Sequence, residues 1–134
     1  MINSLNKGAA AEREVCRLLF DQLGITTARN LEQTRNGGHD LIAEKDSLLE
    51  PYAIEIKRYS KITPAKLKMF WEQAATQAEV AGKTPVLLCR GNREDWQAVL
   101  PLYSINPQLS CSNHFDNVAI LNMAGFCALV REAK

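Results

Sequence analysis

Apolar residues near the start of the chain recur every three or four positions, which is the spacing of an amphipathic helix. Val15 and Leu19 lie on the apolar stripe, Ser4 or Asn6 is placed to cap the first turn, and Gly24 follows the last. We therefore predict a first helix that runs to about residue 23.

Three short strands are predicted after this helix. Residues 25–29 and 40–43 are short runs with strand character, and Asn36-Gly37-Gly38 is a turn signal between them. Residues 52–58 alternate strongly between apolar and polar or small side chains, as expected of a strand with two different faces.

A second helix and a buried strand come next. Thr63 is placed to cap the helix, Pro64 takes its first position, and the apolar stripe ends near Gly82. Residues 85–89 form a continuous apolar run, which is typical of a central strand.

The last third of the chain is less regular. Residues 96–103 predict a strand that Pro101 interrupts, and residues 104–116 form a polar excursion. Residues 118–121 suit a further strand, and Asn122 is placed to cap a closing helix. The order α-β-β-β-α-β followed by this tail predicts an α/β fold with a mixed central sheet flanked by helices.

Bulk properties narrow the class of protein. A length of 134 residues fits one domain, and a formal net charge of +1 means that any surface for nucleic acid must be local. The four cysteines form no CxxC pair and have apolar neighbours, so we expect small buried side chains rather than a zinc ribbon. Without a signal peptide or a long apolar span, the expected location is cytoplasmic.

The strand at residues 52–58 carries the first candidate for chemistry. Because strand side chains alternate, Glu55 and Lys57 lie side by side on the face opposite Tyr52, Ile54 and Ile56. A carboxylate beside an ammonium is also what a solvated strand face contains. The pair alone therefore leaves both interpretations open.

Asp40 adds a second carboxylate. It opens the strand at 40–43, and a hairpin can bring it beside Glu55. Two neighbouring carboxylates repel unless a cation lies between them, and Mg²⁺ is typically held by one or two protein carboxylates. Lys57 would then lie beside the attacking water and the phosphate.

Glu12 is a third candidate. At 100° per residue, Cys16 and Leu19 lie within about 40° of Glu12 around the first helix, so this carboxylate points at the interior. An interior carboxylate needs a cation or an ion-pair partner. A buried pair with Arg29 or Arg35 is the alternative to a metal site.

These motifs resemble the PD-(D/E)XK nuclease superfamily. The helix segment Lys7–Glu14, the turn Gly37–Leu41 and the strand Ile54–Lys57 are similar to archaeal-type Holliday-junction resolvases. Residues 29–35 resemble small phage-encoded nucleases of the same superfamily. The resemblance spans residues 7 to about 90.

The resemblance implies a restriction-endonuclease-like core and a single nuclease domain over residues 1–134. Residues 1–90 would form the catalytic core and residues 91–134 a variable C-terminal extension. The implied activity is hydrolysis of DNA phosphodiester bonds, selective for branched DNA and connected with recombination. A homodimer is the implied assembly.

The resemblance also assigns residues to roles. Glu12, Asp40, Glu55 and Lys57 match the catalytic set, and the metal-binding set is Glu12, Asp40, Glu55 and Ile56. The implied ion is Mg²⁺, which Mn²⁺ is able to replace. The family's phosphate-binding arginine is either Arg29 or Arg35, with Arg35 favoured because it is nearer the turn.

Further candidates have weaker support. Arg58, Lys61 and Gln77 are predicted to contact DNA, although a solvated helix face explains the lysines between 61 and 68 nearly as well. Gln77 is favoured over Gln73 because it lies nearer the apolar stripe of the second helix. His39 is expected to turn away from Asp40.

Three other functions remain open. A restriction-like or nicking nuclease would cut linear duplex DNA with the same residues. A catalytically silent DNA-binding module of the same fold would bind DNA without cleavage. A structural protein with an ordinary ion-pair network would show neither DNA affinity nor metal dependence. The superfamily varies its substrates on one core, so fold alone does not separate these alternatives.

Overall fold

A computed structural model of the protein describes residues 4–31 and 39–133, with the side chains of residues 4–7 not included. The helices are α1 (Ser4–Leu23), α2 (Pro64–Ala81), α3 (Leu102–Ile105) and α4 (Met123–Glu132), and a 3-10 turn spans Phe115–Asn117. The strands are β1 (Thr27–Arg29), β2 (Leu41–Ala43), β3 (Tyr52–Arg58), β4 (Thr84–Arg90), β5 (Gln97–Pro101) and β6 (Val118–Asn122).

The described strands form two sheets. β1 and β2 make a short antiparallel hairpin, and the larger sheet has the order β3-β4-β5-β6. β3 and β4 are parallel, and α2 supplies the crossover between them, whereas β5 and β6 are added antiparallel. The predicted mixed sheet flanked by helices is confirmed.

Local signals explain the ends of α2. Thr63 Oγ1 accepts a hydrogen bond from the Lys66 backbone N–H, and Pro64 occupies the first turn. Gly82 ends the helix with a φ of 67°, a conformation that glycine adopts without the steric penalty of a Cβ atom. The predicted helix and its caps are confirmed.

The apolar core lies on both faces of the larger sheet. On one face, Val15 and Leu19 of α1 and Phe126 of α4 pack against Ile54 and other strand residues. On the other face, the apolar side of α2 packs against alternate residues of β4 and β5, with the buried set Phe70, Trp71, Ala74, Leu87, Cys89 and Val99. Because β3 alternates, Glu55 and Lys57 face the layer that α2 covers.

The C-terminal third differs from expectation at two points. The predicted strand over 96–103 ends at Pro101, and α3 begins at the next residue, because proline ends the strand and takes the cap position of the helix. Cys111 is exposed rather than buried, unlike Cys89 and Cys127. No helix within the described ranges is long and apolar enough to cross a membrane.

Candidate active site

Asp40 is fixed against the edge of β3 by its backbone and its side chain. Its N–H donates to the Ile54 carbonyl at 2.9 Å, and its Oδ2 accepts from the Ile56 N–H at 2.6 Å. Asn30 N–H donates to the Asp40 carbonyl at 2.8 Å. The side chain therefore takes the place that a neighbouring strand would fill, next to Glu55.

Glu55 is a buried carboxyl, only 5% exposed. Burial, followed by the negative charge of Asp40, raises the pKa of Glu55 to about 8, while Lys57 acts in the opposite direction. Its Oε2 is buried and, among the described residues, makes no hydrogen bond. A proton or a cation would stabilise this pair of acids.

Lys57 links the buried acids to the surface. Its Nζ lies 3.7 Å from Glu55 Oε1, and its side chain is 21% exposed. The ammonium also lies 5.4 Å from the centroid of the Phe70 ring, which holds it by a cation–π contact. The lysine is therefore placed to meet an anionic group that approaches from solvent.

Glu12 points inward, as the helical spacing predicted, and it pairs with Arg29. Arg29 Nε donates to Glu12 Oε1 at 3.1 Å, with side chains 32% and 8% exposed. The ion-pair alternative for Glu12 is therefore observed, and its partner is Arg29. Arg35 lies outside the described residues, as does the predicted turn at 36–38.

The oxygen atoms at Asp40 and Glu55 fit a hard divalent cation. Two adjacent carboxylates, one with a buried oxygen that no described donor meets, match the preference of Mg²⁺ for one or two protein carboxylates. Ile56 has only its backbone carbonyl to offer as a ligand. Residues 4–31 and 39–133 contain no group of three acidic, histidine or cysteine side chains placed to share an ion.

The predicted DNA contacts differ in their exposure and in their hydrogen bonds. Arg58 is half-buried and donates to Asn92 Oδ1 at 2.6 Å and to the Tyr59 carbonyl at 3.2 Å. Lys61 is exposed just beyond β3. Gln77 is half-buried, and its Oε1 has no hydrogen-bond partner in the described part of the chain, whereas Gln73 is exposed.

Two contacts at the site were not predicted. Asn30 Nδ2 donates to the His39 carbonyl at 3.0 Å and so orients the segment that leads into Asp40. Phe70 is a buried core residue whose ring also contacts Lys57. The sequence contains no pattern that would have indicated the two contacts.

The electrostatics of His39, next to Asp40 in the chain, are also perturbed. Burial lowers the pKa of His39, and the positive charge of Lys83 adds to this effect.

Comparisons with known proteins bear on the family and the fold of the chain. Residues 3–124 match the model of a family described as "Phage putative PDDEXK endonuclease". The structure is similar to that of Hjc, a Holliday junction resolvase from Archaeoglobus fulgidus, with a TM-score of 0.53 and 18% identity over 91% of this chain and 96% of that one. No curated protein matches the sequence. Both matches extend beyond residue 90, where the resemblance read from the sequence ended.

Proposed function

Because the chain belongs to the phage PDDEXK endonuclease family, and is therefore a nuclease of the PD-(D/E)XK type, we propose that it is a Mg²⁺-dependent endonuclease for branched DNA. The observation that carries the proposal is Asp40 beside the buried Glu55, with Lys57 Nζ 3.7 Å from Glu55 Oε1. An acid pair with an adjacent ammonium suits hydrolysis of a phosphodiester, which requires both a cation and charge stabilisation.

The proposed ligands of Mg²⁺, or of Mn²⁺ in its place, are the carboxylates of Asp40 and Glu55 and the carbonyl of Ile56. When bound, the ion supplies positive charge that polarises the phosphate and makes water a better nucleophile. Glu12 was also expected among the ligands, and because its Oε1 pairs with Arg29 we propose that it supports the site through this arginine. The protein itself holds the carboxyl groups of Asp40 and Glu55 close together at the edge of β3.

Lys57 and the neighbouring basic residues act on the DNA itself. The Lys57 ammonium positions the attacking water and stabilises negative charge on the phosphate. Arg58 and Lys61 follow Lys57 on the chain, and we propose that they contact the DNA backbone together with Arg29 and Gln77. The phosphate-binding arginine is either Arg29 or Arg35, and the nearness of Arg35 to the turn in the sequence favours Arg35.

Selectivity for branched DNA is supported by the fold likeness to Hjc, which is named as a Holliday junction resolvase, and by the similarity of the segment Lys7–Glu14 to such enzymes. A four-way junction has two symmetry-related strands to cut, so we propose a homodimer with two-fold symmetry. DNA as substrate agrees with a cytoplasmic location, which stays a prediction.

The decisive experiment compares cleavage of a labelled four-way junction and a matched linear duplex, each with Mg²⁺ and with chelator. We expect junction cutting that requires Mg²⁺ and is lost in Lys57→Met, which keeps an unbranched apolar side chain against Phe70. Lys45→Met, which changes an exposed lysine in the turn after β2, is the matched control and should cut as wild type does.

Each other result selects a different function. Equal cutting of both substrates would keep the active site and replace branch selectivity with a restriction-like or nicking activity. DNA binding by wild type without cleavage in Mg²⁺ would support the catalytically silent module. Light scattering tests the dimer separately. A complex with the mass of one protein chain and one junction would contradict it.

A further inference from the structure

An exposed aromatic ring lies immediately beside the candidate active site. Tyr59 follows the last residue of β3 and is 40% exposed. Its ring stacks on Phe70, with centroids 4.9 Å apart and an interplanar angle of 29°. Because the same Phe70 ring contacts the Lys57 ammonium, Tyr59 and the candidate catalytic lysine share one buried support.

The surroundings of Tyr59 are positively charged. Lys66 Nζ lies 5.5 Å from the centroid of the Tyr59 ring, and Arg58 and Lys61 flank the tyrosine in sequence. Met69, one turn after Lys66 on α2, is 50% exposed and adds apolar surface. An exposed aromatic ring among cationic side chains is the combination with which proteins bind unpaired nucleotides.

The Tyr59 backbone is held in place. Its N–H donates to the Arg90 carbonyl at 3.2 Å, and its own carbonyl accepts from Arg58. The ring is supported from below by Phe70, which is only 2% exposed. A ring that is already ordered loses little conformational freedom when a ligand stacks on it.

We propose that Tyr59 is a specificity-determining residue that stacks on a base that is unpaired, or becomes unpaired, at the branch point of the DNA. The Lys66 ammonium, which lies over the ring in the free protein, would move from the ring to the adjacent phosphate. The inference rests on the proposed function, because it assumes that the substrate is DNA. Bases inside a matched duplex are unavailable unless they are flipped out of the stack, which costs energy, whereas the stack is already interrupted at a branch point and a base there is released at lower cost. The contact therefore favours branched over linear DNA.

The test measures binding of a branched DNA with an unpaired arm and of a matched duplex, both in chelator so that no cleavage occurs. Tyr59→Leu should lower the ratio of branched to duplex affinity about tenfold, and Tyr59→Phe should retain it, since stacking needs the ring and not the hydroxyl. Phe20→Leu, which changes an exposed aromatic residue of α1, is the matched control. Lys66→Gln should reduce the salt dependence of binding by about one charge.

A measurement on wild type removes dependence on the folding of the variants. With 5-iodouracil in the unpaired arm, irradiation should cross-link Tyr59, and the cross-linked peptide identifies the residue. A cross-link elsewhere, or an unchanged affinity ratio in a folded Tyr59→Leu protein, would overturn the inference and leave Tyr59 as a cover for Phe70. If wild type binds and cuts no DNA, the proposed function fails and the inference fails with it.

Discussion

The buried acid pair of Asp40 and Glu55 should make the stability of the folded chain depend on pH when no divalent ion is present. The pKa of Glu55 is raised from 4.5 to about 8 by burial and by Asp40. Between these values the folded chain keeps a proton that the unfolded chain releases. The resulting stability is fully present below pH 4.5 and is lost as the pH rises towards 8.

The size of the effect follows from the number of protons. A difference of one proton changes the free energy of unfolding by about 1.4 kcal/mol per pH unit. Between pH 5.5 and 7.5 wild type should therefore lose roughly 2–3 kcal/mol relative to Glu55→Gln, which keeps the shape but cannot titrate. If Glu55 and Asp40 share the bound proton, the loss of unfolding free energy should lie near the lower end of this range.

Urea denaturation in chelator at several pH values measures this difference. Glu79→Gln, at an exposed position on α2, serves as the control and should follow wild type. Added Mg²⁺ at pH 7.5 should restore stability to wild type more than to Glu55→Gln, because the ion replaces the proton on the carboxylate. A difference between wild type and Glu55→Gln that does not change with pH would refute the reasoning.

Three further predictions concern the scaffold around the site. Arg29→Met should lower the free energy of unfolding by about 1–3 kcal/mol, because it leaves the buried Glu12 carboxylate without its cationic partner Arg29. Adding Glu12→Gln to this variant should recover part of the lost stability. A double-mutant cycle in urea measures the coupling between the two residues. Asn122→Ala should cost about 1 kcal/mol in the same assay, since Asn122 Oδ1 accepts from the Gly125 N–H at the start of α4. Leu19→Ala should cost about 2–5 kcal/mol in thermal unfolding, because Leu19 is fully buried between α1 and the sheet; a loss below 1 kcal/mol would contradict that packing.

Local signals in the sequence were enough to predict α2 and β3. Thr63, Pro64 and Gly82 act within a few residues of the ends of α2, and the alternation of β3 depends only on which side chains face each way. The same alternation placed Glu55 and Lys57 on one face. These features were predictable because each depends on residues that are neighbours in the chain.

Features that depend on distant contacts were not predictable in the same way. The helical spacing indicated that Glu12 points inward, but the choice of Arg29 as partner depends on how the hairpin packs on α1. The sequence of β3 also left open whether Glu55 lies on a strand face exposed to solvent. In the structure α2 covers this face and Glu55 is buried, and the sequence of β3 alone does not show that a helix lies there. The helix α3 was not predicted, because a proline in an apolar run indicates an interrupted strand. The sequence does not show that Pro101 occupies the N-cap position of a short helix.

The position of Asp40 also determines which backbone groups are exposed at the edge of the larger described sheet. β3 is the edge strand of the larger described sheet, and an open edge offers hydrogen bonds to a strand of another molecule. Asp40 occupies two such positions, through its N–H on the Ile54 carbonyl and its carboxylate on the Ile56 N–H. An alanine at this position would expose the Ile56 N–H and so favour strand pairing between molecules. The acid proposed to bind the metal thus also protects the sheet edge against aggregation.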